Sequence, residues 1–319
     1  MTTDTRRPLG TGGPLVSPLC LGTSSWSFRK VGAGPIGALD AALETPQDAP
    51  NRINFIDTSN EYGGGNSEVV LGAALEGRDD LILQTKLDRD PETGDFGGSR
   101  MRRSLAESLD RLGRSTLPLL YLHDPELIGY DEAFAVDGPV AALAAMKESG
   151  VVERIGISGG PAPMLRHYVG TGLFDAVITH NRFTLVDRSS AELVEEAAGR
   201  GMAVVNAAVY GGGALARWPQ PATSYGYEPA APATTDAVRL MGEACARHGV
   251  PLEAAAIQFS TRHPAITSTI IGATSAAHLE SAVAANDLEL PASLWEELDS
   301  LVPPPAVWKE PPGSTWPPG

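Results

Sequence analysis

Four ionisable side chains follow short apolar runs or the loops after them. Asp57 ends the run INFID, Tyr62 lies in the polar loop that follows, Lys86 ends LILQTK, and His123 ends LPLLYLH. In a parallel α/β barrel the carboxyl ends of the strands and the loops after them form the active face. These four side chains are therefore predicted to meet at one rim.

Together the four residues have the chemistry of a general acid and base. A phenol near its reference pKa of about 10 is a poor acid at neutral pH. The Lys86 ammonium is expected to lower the pKa of Tyr62, while Asp57 keeps Lys86 in place and charged. His123 is predicted to hydrogen-bond the reacting oxygen or to exchange a proton with Tyr62. The set fits carbonyl–alcohol interconversion, although each residue taken singly also fits a structural role at a rim.

Eight short apolar runs are predicted to be parallel strands buried on both faces, since they are rich in leucine and β-branched residues and lack alternation. They span residues 17–22, 53–57, 81–85, 117–123, 152–158, 176–180, 203–208 and 267–272. Helix-patterned segments separate them, which favours a (β/α)8 TIM barrel with long loops at its C-terminal face. We expect one domain over residues 1–319, with an irregular Pro-rich tail over residues 303–319.

The predicted helices carry ordinary start and stop signals. They span residues 67–75, 100–112, 140–149, 190–200, 235–248, 276–285 and 293–301. Ser67, followed by Glu68, is predicted to cap the first of them, and Gly113 and Gly150 to end the next two. Residues 218–234, rich in Pro, Ala and Tyr, are predicted to form a long loop.

Composition excludes several classes of protein. The net charge of −15 disfavours nucleic acid and anionic membrane surfaces as partners. The two cysteines, Cys20 and Cys245, form no CxxC motif, and clustered His and Asp ligands at successive strand ends are lacking, so no metal is expected. Without a signal peptide or a long apolar segment, the chain is expected to be soluble and cytoplasmic. Its oligomeric state stays open.

One glycine pattern resembles a dinucleotide-binding fingerprint but has the wrong context. Gly32, Gly34 and Gly37 match G-x-G-x-x-G, with Asp57 further along the chain. The residues before them are polar and basic, not a buried strand. A plain glycine loop leading into a helix near residues 38–43 is the favoured interpretation.

Longer segments resemble the successive signatures of aldo-keto reductases, in particular the aldose/L-galactose (L-fucose) dehydrogenase branch, which oxidises a lactol to a lactone. These segments are FIDTSNEYGGGNSEVVLGAAL, QTKLD, SLDRLGRSTLPLLYLHDPE and RIGIS, with LCLGTS before them and STIIGATSAAHLESAVAA after them. The resemblance implies a (β/α)8 barrel that binds nicotinamide dinucleotide across its C-terminal face. It also implies that Asp57, Tyr62, Lys86 and His123 are the catalytic residues.

The resemblance further implies cofactor contacts. Gly22 and Thr23, with Asp57, match the turn beneath the nicotinamide, and Ser158 matches the serine that holds the carboxamide. Around Ser158 the chain departs from the family. The departures are Gly159 for a usual asparagine, His180 for a common glutamine and Ala207 for a stacking aromatic, with Asn181 and Tyr210 as predicted substitutes. Gly211 and Gly212 are expected to approach the pyrophosphate.

The predicted ribose loop favours NAD over NADP. The family grips the adenosine ribose there, through residues matching Gly272, Thr274, Ser275 and His278, and residues 272–282 contain no Lys or Arg. A 2′-phosphate needs charge-assisted partners, which a weakly basic His278 and two hydroxyls do not supply. NAD in turn favours oxidation, so a dehydrogenase of a sugar or small hydroxy compound is expected.

Large side chains after the first strand and in the long loop could line a substrate pocket. Trp26, Phe28, Asn60 and Trp218 are candidates beside Tyr62 and His123, and loop packing explains them equally well. A general aldehyde reductase is one alternative function. A redox-sensing or regulatory subunit that binds nicotinamide with little turnover is another, disfavoured because a sensor need not retain the whole acid–base set.

Overall fold

The computed structural model describes residues 6–27, 37, 39–42, 52–78 and 80–317. The predictions for Phe28, Gly32 and Gly34 lie outside these residues. Of the helix predicted over residues 38–43, residues 39–42 are helical. No helix within the described ranges is long and apolar enough to cross a bilayer.

Eight parallel strands close into a barrel, as the sequence predicts. They are β3 (Leu19–Gly22), β4 (Phe55–Asp57), β5 (Ile82–Leu87), β6 (Leu119–His123), β7 (Ile155–Gly159), β8 (Ala176–His180), β9 (Ala203–Ala207) and β12 (Ser268–Gly272). Each pairs with its neighbour in sequence, and β12 closes the ring between β9 and β3. The register places Asp57 beside Gln84, and His123 beside Ser158. The carboxyl ends of the strands therefore form one rim.

Alternate strand residues fill the barrel interior, as expected for a small closed barrel. Cys20, Phe55, Leu119 and Tyr121 belong to one buried cluster with side chains from β8 and β9. Gly156 is required beside Tyr121, because a Cβ there would lie 2.4 Å from the tyrosine ring. A second, larger cluster packs the other face of the strands against the surrounding helices.

The helices form the outer layer of the barrel. They are α1 (Asn66–Ala74), α2 (Gly98–Leu112), α3 (Tyr130–Ala133), α4 (Pro139–Glu148), α5 (Ala162–Gly170), α6 (Ala191–Gly199), α7 (Pro232–Arg247), α8 (Leu252–Thr261), α9 (Ala276–Asp287) and α10 (Ala292–Ser300). Three of these helices, α3, α5 and α8, were not predicted from the sequence. Buried residues line most of α8, so its sequence LEAAAIQFST shows no polar stripe to mark a helix.

Two local predictions are wrong. Gly65 occupies the N-cap of α1, whereas Ser67 lies inside the helix and donates its hydroxyl hydrogen bond to Thr23 Oγ1 at 2.6 Å. The predicted loop over residues 218–234 contains a small hairpin of β10 (Ser224–Tyr225) and β11 (Glu228–Pro229), and α7 begins within it at Pro232. Proline suits a first helical turn, because its nitrogen needs no acceptor there.

Short elements lie outside the barrel at both ends of the described chain. An antiparallel pair, β1 (Arg7–Pro8) and β2 (Leu15–Val16), precedes the first barrel strand. The Pro-rich tail contains one 3-10 turn, Pro305–Val307, and is otherwise irregular. It lies against the body of the protein, where Glu310 pairs with Arg182 at 2.6 Å.

Candidate active site

The Lys86 ammonium lies at the centre of the predicted acid–base set. Its Nζ is 2.9 Å from both carboxylate oxygens of Asp57, 2.7 Å from the Thr58 carbonyl oxygen and 3.0 Å from Tyr62 Oη. Gln84 also donates to Asp57, at 2.8 Å. Lys86 and Asp57 are both 2% exposed, so each charge depends on the other.

Burial and the neighbouring charges together set the charge state of Lys86. Burial lowers the pKa of Lys86, but Asp57 and Tyr62 together outweigh this effect and hold the pKa above the ordinary lysine value. Lys86 is therefore an ammonium at neutral pH. Because this ammonium donates to the oxygen of Tyr62, the phenolic proton stays free for another acceptor.

The net effect on Tyr62 is opposite to the one expected from sequence. Burial raises the pKa of the phenol above its ordinary value, and this outweighs the lowering by Lys86. The expectation that the neighbouring ammonium gives Tyr62 a lowered pKa is wrong for the protein as described. Desolvation is the reason, since Tyr62 lies at the base of a cleft formed by folding.

His123 belongs to a second buried pair that the sequence analysis missed. Its Nδ1 lies 2.5 Å from Asp88 Oδ1, and the other Asp88 oxygen accepts from Ser59 Oγ and, at 2.9 Å, from the Glu61 backbone N–H. Burial lowers the pKa of His123, but the carboxylates of Asp88 and Asp124 outweigh it and raise the pKa to about 9. His123 therefore carries a proton on each ring nitrogen at neutral pH.

Asp88 follows β5 two residues after Lys86. Side chains two apart in a strand face the same side, so this spacing was the signal that could have found it. The Tyr62 and His123 rings meet edge to face with centroids 5.9 Å apart. Three successive strands thus bring the four predicted residues together, and Asp88 orients the fourth.

A cleft of about 700 Å³ opens above this set. Six of the predicted cofactor-contact residues line it: Asp57, Ser158, His180, Tyr210, Gly212 and Gly272. Further polar residues of the lining, which were not predicted from the sequence, are Ser24, Ser25, Glu61, Asp124, Arg217 and Tyr227. Of these, Tyr227 is 75% exposed. A cleft of this size with a few convergent polar groups is suited to a small molecule.

Other predicted contact residues support the cleft from beneath. Thr23 is fully buried, donates to the Asp57 carbonyl oxygen at 3.1 Å, and lies beside Gly22 at the end of β3. Asn181 is buried and its amide nitrogen lies 3.2 Å from His180 Nδ1. Gly211 lies against the Tyr225 ring, 2.3 Å from the position that a Cβ would occupy. These residues shape the cleft without lining it.

The predicted ribose loop lies at the surface. Thr274 and His278 are exposed and pair with each other through Oγ1 and Nδ1 at 2.9 Å. Ser275 caps α9 by accepting from the His278 backbone N–H at 3.3 Å. None of these three is among the residues that line the cleft in the described part of the chain.

The tryptophans predicted to wall the substrate pocket lie elsewhere. Trp26 is 2% exposed, and its indole N–H donates to the Ala273 carbonyl oxygen at 2.8 Å. Trp218 packs against α7, where its ring lies 2.2 Å from the position of a Cβ on Gly242. Asn60 is likewise buried and donates to the Ser104 carbonyl oxygen at 3.1 Å. Other residues must therefore form the substrate wall.

The cleft fits a phosphate-bearing cofactor at one end. Gly211, Gly212 and Gly213 all have positive φ, at 59°, 73° and 99°, a backbone conformation that favours glycine. Arg217 lies beside them, with its Nε 3.1 Å from the position of a Cβ on Gly213. Its guanidinium has no ion-pair partner within the described residues. Backbone close to a ligand and an unpaired guanidinium suit an anionic diphosphate.

Comparisons with known proteins agree with this geometry. Residues 18–303 match the model of the Aldo/keto reductase family. The chain is 34% identical to D-threo-aldose 1-dehydrogenase of Pseudomonas sp, over 83% of this chain and 88% of that protein. It is 30% identical to L-galactose dehydrogenase of Arabidopsis thaliana, over 100% and 99% of the two chains.

A solved structure gives the same result. An aldo-keto reductase from Bacillus halodurans, in its holo form, is similar with a TM-score of 0.75 and 25% identity, over 93% of this chain and 96% of that one. The chain therefore belongs to the aldo/keto reductase family, and it is an oxidoreductase of the kind that uses NAD(P)H.

Proposed function

We propose that this enzyme is an NAD(P)-linked sugar dehydrogenase that oxidises a lactol or a related hydroxyl group, with Tyr62 as the general acid and base. The observation that carries the proposal is the 3.0 Å contact between Lys86 Nζ and Tyr62 Oη at the base of the cleft. The names of two relatives, an aldose and an L-galactose dehydrogenase, support the substrate class.

The residues of this chain divide the proton chemistry between them. Bound nicotinamide supplies the hydride acceptor or donor. In oxidation, Tyr62 takes the hydroxyl proton of the substrate as a phenolate. Lys86 favours this phenolate and so offsets part of the rise in pKa that burial causes. In reduction, the protonated phenol gives its proton to the carbonyl oxygen. His123 holds that oxygen by donating from Nε2, while Asp88 fixes the ring through Nδ1.

A conservative tyrosine variant tests this mechanism. Tyr62→Phe removes the exchangeable proton and keeps the ring, so kcat is expected to fall roughly 100- to 10,000-fold, the usual contribution of general acid–base catalysis. Nicotinamide absorbance with a panel of aldoses, polyols and aldehydes measures turnover, and fluorescence titration measures cofactor binding. The dissociation constant of the cofactor is expected to stay within about threefold of the wild-type value. A tenfold change would represent about 1.4 kcal/mol of binding free energy.

Three outcomes would contradict the proposal. Unchanged turnover in Tyr62→Phe would show that another group transfers the proton. Tight cofactor binding with no turnover of any substrate by wild type would favour the sensor or regulatory alternative. Turnover confined to simple aldehydes in the reductive direction would favour a general aldehyde reductase.

We further infer that the enzyme prefers NAD, with Arg217 binding the pyrophosphate. Thr274 and His278, near the expected ribose, offer a hydroxyl and an imidazole paired with each other, without the cation that a 2′-phosphate needs. Arg217 lies instead beside the glycines that suit the diphosphate, which both cofactors share. Its charge therefore contributes to binding without discriminating between them.

Arg217→Gln tests this assignment. The variant is expected to weaken the binding of NAD and of NADP by the same factor, about 10- to 100-fold. A hydrogen bond to a charged group contributes roughly 1.5–3 kcal/mol, and this contribution is lost for both cofactors. Dissociation constants of both cofactors are measured for wild type and variant, with the exposed Arg239→Gln as a control of equal charge. A loss specific to NADP would place Arg217 at the 2′-phosphate, and tighter binding of NADP by wild type would overturn the preference for NAD.

A further inference from the structure

We propose that Asp124 and His180 bind hydroxyl groups of the substrate beside its reacting carbon, and that Asp124 sets the preference for hydroxylated, uncharged sugars. Both residues line the cleft with His123. The inference rests on the proposed function and extends it, since it names residues that distinguish a sugar from a simple carbonyl compound.

The backbone of Asp124 is held in an unusual conformation at the end of β6. Its φ of 46° and ψ of 52° place a non-glycine residue in the left-handed region. The Asp124 N–H donates to the Ser158 carbonyl oxygen at 2.8 Å, and its carbonyl oxygen accepts from the Leu127 N–H at 3.1 Å. Such backbone conformations persist where surrounding contacts fix them, and they cluster at functional sites.

The Asp124 carboxylate has free acceptor capacity. Its side chain is 41% exposed, and Oδ1 lies 3.6 Å from His123 Nε2, which is too far for a hydrogen bond. Within the described residues no side chain or backbone group donates to this carboxylate. His123 is proposed to bind the reacting oxygen, so a hydroxyl on the adjacent carbon falls within reach of Asp124.

His180 supplies a donor next to this acceptor. Burial, aided by the Arg182 cation, lowers the pKa of His180 to about 4, so the ring is neutral at neutral pH. The Asn181 amide nitrogen lies 3.2 Å from Nδ1, which makes Nδ1 the acceptor and leaves the proton on Nε2. A neutral N–H donor and a carboxylate acceptor match the two hydrogen-bonding capacities of a hydroxyl group.

The two residues converge with a third polar group. Oxygen atoms of Asp124 and Glu126 and a ring nitrogen of His180 lie within 4.8 Å of one another. Glu126 accepts from the Gly160 N–H at 2.9 Å. The Asp124 carboxylate in the cleft lining repels an anionic substrate, and the Arg182 guanidinium, which lies with Glu126 beside Gly160, disfavours a bound metal cation. Neutral polyols and aldoses remain as the fitting class.

The test compares substrates with and without the adjacent hydroxyl. Asp124→Ala is expected to lower kcat/KM for a neutral aldose roughly 10- to 100-fold, mainly through KM, because a hydrogen bond to a charged group is lost. For the matching deoxy sugar and for a simple aldehyde, kcat/KM is expected to stay within about threefold of the wild-type value. These two substrates lack the hydroxyl group that Asp124 is proposed to bind, so the variant removes no contact to them. Asp131→Asn, on the exposed surface of α3, serves as the control.

Three results would overturn the inference. An equal loss with the aldose and the deoxy sugar, together with a shifted pH profile, would mean that Asp124 acts through His123. Loss of the aldose preference of wild type on dialysis against EDTA would mean that a metal occupies the cluster. Preference of wild type for a phosphorylated or acidic sugar would contradict the charge argument. Failure of wild type to turn over any carbonyl or hydroxyl compound would instead refute the proposed function.

Discussion

Two residues at the end of β5 organise the charges of the candidate site. The side chains of Lys86 and Asp88 point to the same face of the sheet because the two residues are two apart. Their partners lie on different strands, one on each flank of β5. Lys86 binds Asp57 of β4, and Asp88 binds His123 of β6. Each buried charge is thus matched by one of opposite sign, which is the condition for keeping ions inside a protein.

The Asp88–His123 pair makes stability depend on pH. The His123 pKa is about 9 in the folded protein and 6.5 unfolded, so the contribution is fully present below about pH 6.5 and lost as pH rises through 9. The whole dependence is worth roughly 3 kcal/mol at 1.36 kcal/mol for each pKa unit, and Asp88→Asn is expected to remove most of it. Urea unfolding at a series of pH values measures it.

The control for this experiment is Asp131→Asn, which removes a carboxylate from the exposed surface of α3. This variant is expected to keep the pH dependence of wild type. A pH dependence in Asp88→Asn equal to that of wild type would show that another group raises the pKa of His123.

At the scale of elements, the tail and the β10–β11 hairpin form one wall beside the cleft. Glu310 in the tail pairs with Arg182 after β8, and Lys309 pairs with Glu228 of β11 at 2.7 Å. Tyr225 of β10 donates to the Asn181 carbonyl oxygen at 2.6 Å. The next residue but one, Tyr227, lines the cleft. The tail therefore anchors the element that presents this tyrosine.

The two ion pairs of this wall are expected to differ in strength. The side chains of Arg182 and Glu310 are 10% and 13% exposed, whereas that of Glu228 is 71% exposed. Glu310→Gln leaves a buried guanidinium without its charge partner. It is expected to lower the free energy of unfolding by about 2 kcal/mol, somewhat less than the loss of one partner in a fully buried pair. Glu228→Gln, the matched control, is expected to cost less than about 0.5 kcal/mol.

Unfolding in urea and proteolysis of the tail measure this difference. Glu310→Gln is also expected to raise KM by a larger factor than the factor by which it changes kcat. The reason is that the hairpin positions the cleft wall without touching the reacting atoms. Equal costs for the two variants would show that the tail is held by its apolar contacts, such as Trp316 packed against the core.

At the scale of the whole molecule, closure of the barrel creates the site. Asp57 and His180 are far apart in sequence, yet both end strands of one closed sheet and line one cleft. Parallel strands share a direction, so their carboxyl ends, and the loops after them, gather at one face. Of the cations that line the cleft in the described part of the chain, Lys86 and His123 are paired with carboxylates, whereas Arg217 has no ion-pair partner. An unpaired cation there suits an anionic cofactor in a protein with a net charge of −15.

Much of this architecture is encoded locally and could be predicted. The eight strands follow from short apolar runs, and each predicted range contains or overlaps the observed one, as with β8 at Ala176–His180. The meeting of Asp57, Tyr62, Lys86 and His123 could be predicted for the same reason. The carboxyl end of a parallel barrel strand lies at the active face whichever strands it pairs with. Short-range periodicity carries that information.

Only the tertiary structure decided the properties that depend on distant neighbours. It placed Trp26 and Trp218 in packing roles, brought Arg217 to the glycines and gave His123 its partner Asp88. It also reversed the expected pKa shift of Tyr62, since desolvation depends on everything that packs around the phenol. Residue types and spacing thus determined which groups meet at the candidate site, whereas burial and long-range contacts decided their charge states and the wall around them.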